Sequence, residues 1–264
     1  MDGIILNFHR YHLEIYINSR RYIMTNELKF DKIYDLSVLV YNDMQLHPAI
    51  EAAGVHSRVL THGFPVHLPG MGGPQGGPEF GWPIFHDLEL TTHTGTHVDA
   101  PWHFNKHGKR IDELPIETFM GKGVVLDFRH FGDCQAIKEE DLRNAKPAIE
   151  EGDILIINTG RHKIYGTPEY NTKHPGIDGE SVKPFLLEKK IKMIGMDTMC
   201  VEVCDEHSHW SHPLHRICLI ENEILLIENL GGDIDELSGK RCFIMAFPIK
   251  LFADAGIARV VALL

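Results

Sequence analysis

Short apolar runs rich in branched side chains recur along the chain: IYDLSVLV (33–40), GVVLDF (123–128), DILIINTG (153–160), EILLIENL (223–230), RCFIMAF (241–247) and RVVALL (259–264). Their length and branching suit strands. Several lack a polar alternation, so such strands must be covered on both faces. Between them, KEEDLRNAKPAI (138–149) and DGESVKPFLLEKKI (178–191) carry helical spacing, the second with Asp178 or Ser181 as N-cap. The pattern predicts a mixed α/β fold built on a substantial sheet. At 264 residues and 43% hydrophobic, the chain has material for one large core, and a single domain is expected.

Charge narrows the partners. Lys and Arg total 26 against 37 Asp and Glu, a balance of −11 with no basic run to offset it. Such a surface repels phosphate backbones and anionic lipid, so neither nucleic acid nor membrane is an expected partner. The opening stretch, MDGIILNFHRYHLEIYINSRRYIM, is interrupted by His9, Arg10, His12, Glu14, Arg20 and Arg21. It holds no apolar segment of signal or membrane length, and a cytoplasmic protein is expected. Residues 1–29 read as an amino-terminal extension ahead of a domain over 30–264. The five cysteines, Cys134, Cys200, Cys204, Cys218 and Cys242, are scattered and form no CxxC pair, which predicts reduced, packed thiols.

One segment is compositionally biased: HLPGMGGPQGGPEFGW (67–82), dense in Gly and Pro. It can hold neither a helix nor a ladder strand, and reads as a surface loop or as a pocket wall carrying Phe80 and Trp82. Its glycine spacing does not match a dinucleotide-binding turn.

Histidine carries the functional information, since nine of the 18 fall within 86–107 and 207–215. The segment HTGTHVDAPWHF (93–104) is the centre of the first window. FHDLELTTH alternates as an extended segment does, carrying His93 on a strand or strand end. His97 and Asp99 are two apart, so an extended backbone projects both from one face. Gly95 permits a tight turn that brings His93 to the same point, and Pro101 turns the chain so that His103 re-enters from a loop. Two imidazoles and a carboxylate so arranged suit a divalent metal with an open position for water. The competing reading is a polar turn whose histidines and aspartate bond one another.

HTGTHVDAPWHF resembles the H-x-G-T-H-x-D-x-P-x-H signature of the cyclase superfamily, metal-dependent hydrolases that include bacterial kynurenine formamidase and isatin hydrolase. TGRHKIYGTPEYNTKHPGIDGESVKPFLLEKKIKMIGMDT (159–198) resembles that family's middle section, and LLIENL with AFPIKLFADAGIARVVALL its carboxy-terminal end. The resemblance implies a swivelling β/β/α single domain with a mixed central sheet, assembled as a homodimer or homotetramer. It implies one or two divalent ions, Zn or Mn, held by His93, His97 and Asp99, with Asp99 as a bridge. His215 and Glu228 would complete the ligand set, and His103 would act as catalytic acid or base. The His215-to-Glu228 gap is thirteen where twelve is expected, so His212 or His209, and Glu221 or Glu223, stand as alternatives.

A divalent ion lowers the pKa of bound water toward about 7 and polarises a carbonyl. With His103 shuttling the proton, hydrolysis of a cyclic or aryl amide of a small molecule follows, isatin-like or N-formylkynurenine-like. No G-x-S-x-G elbow is present. Phe80, Trp82, Trp102, Phe104 and Trp210 are candidates for an aromatic substrate slot. A metal-dependent cyclisation or dehydration, a lactone hydrolase and a non-catalytic metal protein are the alternatives.

Overall fold

A computed structural model describes residues 30–63, 84–204 and 212–264, together with the backbone of three amino-terminal strands, Ile5–His9, His12–Ile17 and Arg20–Met24. Those three pair as an antiparallel sheet of their own. The biased segment 67–82, and with it Phe80 and Trp82, lies outside the described residues, as do His209 and Trp210.

Eight strands form the central sheet: β1 (Ile33–Asp35), β2 (His97–Asp99), β3 (Met120–Asp127), β4 (Ile154–Asn158), β5 (Met193–Met196), β6 (Leu225–Glu228), β7 (Lys240–Pro248) and β8 (Ala255–Leu263). Their order is β7-β3-β4-β5-β6-β2-β8-β1, and β7 also pairs with β8, so the sheet closes on itself like a barrel. β3, β4, β5 and β6 run parallel to one another, whereas every pairing made by β2, β7 or β8 is antiparallel. The mixed central sheet expected from the apolar runs is therefore present.

Alternation along the strands sorts side chains into two cores. Val98, Val125, Ile154, Ile156, Met193, Leu225, Ile227, Ile244 and Val260 point inward and fill the barrel. Val124, Leu126, Leu155, Ile157, Ile194, Met196 and Leu226 point outward, where helices α1 (Glu139–Asn144) and α2 (Gly179–Glu188) cover them with Leu142, Val182, Phe185 and Leu186. Both faces of β4 are thus buried, which explains its unbroken ILII. Truncating Ile156, fully buried inside the barrel, to Ala is expected to lower stability by about 2–5 kcal/mol, read from urea unfolding, because the closed sheet cannot collapse onto the void.

Several local expectations are corrected. The run at 33–40 is a strand only to Asp35, after which Val38 N–H donates to Thr96 Oγ1 at 2.9 Å rather than to a ladder. The first helix stops at Asn144, two residues ahead of the Lys146–Pro147 bond, where the pre-proline position disfavours helix. Asp178 caps α2 by accepting from Ser181 N–H at 3.1 Å; the Ser181 hydroxyl instead accepts from Glu139 N–H. The expectation of five reduced thiols also fails, since Cys134 and Cys204 form a disulfide with Cα atoms 5.0 Å apart. The pairing joins positions 70 apart in sequence, a proximity that no local spacing reports. Among the described residues no helix is long and apolar enough to cross a membrane.

A candidate metal centre

The register of the closed sheet assembles the site. Strand β2 faces β6 with His97 opposite Glu228 and Asp99 opposite Leu226. Val98, between the two, points into the barrel, so His97 and Asp99 project together from the outer face, as their spacing of two predicts. On its other edge β2 pairs with β8, where Ala255 lies opposite Asp99. That register sets Asp254, just ahead of β8, at the end of β2, where its carbonyl accepts from Ala100 N–H at 2.9 Å.

His93 does not sit on a strand end as expected. The extended segment ends at Glu89, and His93 lies in the turn that precedes β2. Gly95 makes that turn at φ +63°, with Met44, Val38 and Val40 packed about 3.3 Å from where a Cβ would stand. Its carbonyl accepts from His97 Nδ1 at 2.8 Å and from Asn229 Nδ2 at 3.2 Å.

Three imidazoles are each anchored by one ring nitrogen and turn the other toward Asp99. His97 is held at Nδ1 by Gly95 O, and its Nε2 lies 3.4 Å from Asp99 Oδ1 and 3.6 Å from Glu228 Oε2. His215 is held at Nδ1 by Glu202 Oε1 at 3.0 Å; its Nε2 lies 3.5 Å from Glu228 Oε1 and 3.9 Å from Asp99 Oδ2. His93 is held at Nε2 by Asp254 Oδ2 at 2.9 Å, with Nδ1 3.1 Å from Asp99 Oδ1. An outer carboxylate or carbonyl that fixes the tautomer and aims the free nitrogen is the arrangement found around metal-bound histidines.

The fit to a cation is tested by what remains unsatisfied. Among the described residues, His97 Nε2 and both oxygens of Asp99 are buried without a hydrogen bond of good geometry, His93 Nδ1 standing 3.1 Å from Asp99 Oδ1. Leaving three such atoms unpaired is expensive unless a further group meets them, and a divalent ion meets all three. His97, Asp99 and Glu228 offer ligand atoms within 4.8 Å of one another, and so do His93, Asp99 and His103. Imidazole nitrogens and carboxylate oxygens suit zinc and manganese alike.

Protonation follows the same geometry. Burial opposes charge on His93, but the bond to Asp254 and the adjacent Asp99 raise it to about 10. Burial lowers His97 to about 4. Burial and the charge of Asp99 push Glu228 up to about 7, while Asp99, despite burial, is held well below the usual carboxylate range by His97 and His103. A cation entering the free site must therefore displace the His93 proton and, below about 7, the Glu228 proton as well. Affinity is expected to rise with pH and to weaken more steeply once pH falls through about 7, with protons released on binding. Calorimetric titration in buffers of differing ionisation enthalpy measures both.

His103 enters from the short turn Pro101–His103. Its Nδ1 meets Asp254 Oδ2 at 2.9 Å, and its ring lies 4.3 Å from that of His93. Asp254 thus orients His93 and the partly exposed His103 at once. Beside them a cavity of about 290 Å³ is lined by His93, His97, His103, Phe104, His212 and Glu228, with Gln45 and His47 on its wall. Phe104 stands 4.7 Å from the His215 ring and 5.5 Å from His212. Trp102, by contrast, packs on Phe252 at 5.8 Å and does not line that cavity, so its expected place in an aromatic slot is corrected.

Of the alternatives, His212 lies with Cys200 and His215 in a further group able to hold a metal, whereas the two carboxylates lie apart from the site. Glu221 pairs with Lys183 at 2.7 Å and Glu223 with Lys109 at 2.6 Å, both on the surface. The segment Arg216–Asn222 is a π-turn, which holds one residue more per turn than an α-helix, and Glu223 leaves it at φ +53°. That turn accommodates the long spacing between His215 and Glu228. Asp254 and Glu202 were not singled out from the sequence. Each is an isolated carboxylate whose role depends on a partner far along the chain.

Residues 34–203 match the Cyclase family model, described as "Putative cyclase". The chain belongs to the cyclase family. Kynurenine formamidase of Bacillus cereus (strain ATCC 10987 / NRS 248) is 31% identical over 145 residues, 52% of this chain and 64% of that enzyme. The match therefore spans less than two thirds of that relative's length. An uncharacterised protein of Methanocaldococcus jannaschii is 31% identical over 185 residues, 69% of this chain and 83% of its own. Among solved structures, isatin hydrolase A from Labrenzia aggregata bound to benzyl benzoate superposes with a TM-score of 0.71 at 22% identity, covering 88% of this chain and 93% of that one. An isatin hydrolase bound to the product analogue thioisatinate gives 0.71 at 19% identity, covering 88% and 92%. At these identities the structural likeness is one of fold.

Proposed function

We propose that this cyclase-family chain is a metal-dependent hydrolase that opens the C–N bond of a small cyclic or aryl amide, with zinc or manganese as its ion. The observation that carries the reading is the set of anchored imidazoles whose second ring nitrogens converge with Asp99 and Glu228 beside a cavity, three of these buried polar atoms being unpaired among the described residues. His93, His97, Asp99, His215 and Glu228 would hold one or two ions. When bound, such an ion supplies an acidified water and an electrophile for the carbonyl oxygen.

The chain's own groups supply the rest. His103, with Nδ1 fixed on Asp254, is placed to take the water proton at Nε2 as oxygen attacks the carbonyl carbon. The same nitrogen then returns the proton to the departing amine as the C–N bond breaks. Phe104 gives an aromatic substrate a flat apolar wall. The fold shared with isatin hydrolases and the partial match to kynurenine formamidase support an amide substrate. The family resemblance supports assembly as a homodimer or homotetramer.

The test is a panel of aryl formamides, cyclic amides and lactones assayed with protein of measured metal content, in oxygen-labelled water. Hydrolysis places the label in the carboxylic acid product and ceases on chelation. Full activity after chelation, or no cleavage across the panel, contradicts the reading.

A further inference from the structure

A second set of ligand atoms converges on the same cavity. Cys200 follows β5, and its backbone is pinned on both sides: its carbonyl accepts from Thr198 Oγ1 at 2.7 Å, and the next N–H, that of Val201, donates to Glu228 Oε1 at 3.0 Å. His212 precedes the helical turn Pro213–His215 and stands three residues before His215, a spacing that puts both rings on one side of the turn. Their centroids are 5.3 Å apart. Cys200, His212 and His215 each offer a ligand atom within 4.8 Å of the other two, and all three line the cavity, so an ion has a path to them. Atoms bonded to one zinc ion lie about 3.5 Å apart, so closure of about 1 Å completes the set. The other free thiols, Cys218 and Cys242, are packed within the two cores.

Two features set this group apart from the first centre. It holds a sulfur and no carboxylate, a donor set that favours thiophilic ions over manganese. It also shares His215. That ring has Nδ1 committed to Glu202, which leaves Nε2 alone to bind, and one nitrogen lone pair serves one ion at a time.

We propose that Cys200, His212 and His215 form a second site, for a thiophilic divalent cation such as cadmium or excess zinc, and that an ion there withdraws His215 from Asp99 and Glu228. Binding replaces the S–H bond by a metal–sulfur bond and releases the thiol proton to solvent, with no residue oxidised or reduced. The site stands apart from the hydrolase reading; its consequence, inhibition by thiophilic ions, rests on that reading.

The experiment titrates cadmium chloride into manganese-loaded protein, without thiol reductant, and follows the ultraviolet charge-transfer absorption of a cadmium–thiolate bond alongside turnover of the cleaved substrate. The parent is expected to develop that absorption and to lose activity over the same range of cadmium. In Cys200→Ser the absorption is expected to vanish, and the cadmium needed for half-inhibition to rise by at least about 10-fold, since a hydroxyl is a poor ligand for a soft ion. Melting curves report whether that variant is folded. His212→Asn keeps the thiol and is expected to shift the absorption to higher cadmium, a second reading should Cys200→Ser not fold. No charge-transfer absorption in the parent overturns the site, as does an undiminished one in Cys200→Ser or an unshifted one in His212→Asn. Absorption without loss of turnover overturns the competition for His215. If no amide or lactone is cleaved, the hydrolase reading falls while the absorption alone decides the site.

Discussion

Asp99→Asn is expected to leave the protein folded and to empty the site, with metal content falling to background and the proposed amide hydrolysis dropping by more than the roughly 10- to 100-fold lost when a group that only orients a metal-binding side chain is changed. The reasoning is geometric. Asp99 is the only side chain within 4 Å of ring nitrogens from His93, His97 and His215 among the described residues, so its charge is what lets three imidazoles meet without a repelling core. Asparagine keeps the shape and removes that charge. The barrel beneath depends on Val98 and its neighbours rather than on Asp99, so unfolding curves should change little. Elemental analysis and a far-UV melt separate the two effects, and a variant that retains a full complement of metal contradicts the assignment.

His103→Ala is expected to do the opposite. Metal should stay, because His93, His97 and His215 are anchored by Asp254, Gly95 and Glu202 rather than by His103, while turnover falls by about 10²- to 10⁴-fold, the usual contribution of a positioned acid or base. Asp254→Asn should fall between them. It weakens the hold on both His93 Nε2 and His103 Nδ1, so both metal affinity and kcat decline. If His103→Ala loses its metal instead, the histidine is a ligand and the proton carrier must be sought elsewhere.

What could be read from the sequence was what local geometry determines. The spacing of two between His97 and Asp99 is a property of any strand, and the glycine turn at position 95 needs only the chain around it. The apolar runs of β3, β4, β6, β7 and β8 declared themselves by length and branching. Strand β5 did not, because it is four residues long and interrupted by Gly195, where a Cβ would stand 2.6 Å from Ile156 Cδ1. The alternation of FHDLELTTH predicts His93 on a strand or strand end, yet pairing ends at Glu89. His215 and Glu228 were reachable only by resemblance, since the π-turn between them stretches the spacing. Asp254 and Glu202 were beyond reach for a different reason. Each acts through the register of the closed sheet or a contact across it, and one isolated acidic residue looks like another until the strands are paired. The Cys134–Cys204 disulfide belongs with them.

The measurement that bears most directly on the central claim is anomalous X-ray diffraction, at the absorption edge of the ion present, from crystals of the protein purified without added metal. Anomalous density is expected among His97 Nε2, Asp99 and Glu228, at about 2.0–2.2 Å from its ligands if the ion is zinc. Density seated elsewhere, or a site in which those three unpaired atoms are satisfied by water alone, contradicts it.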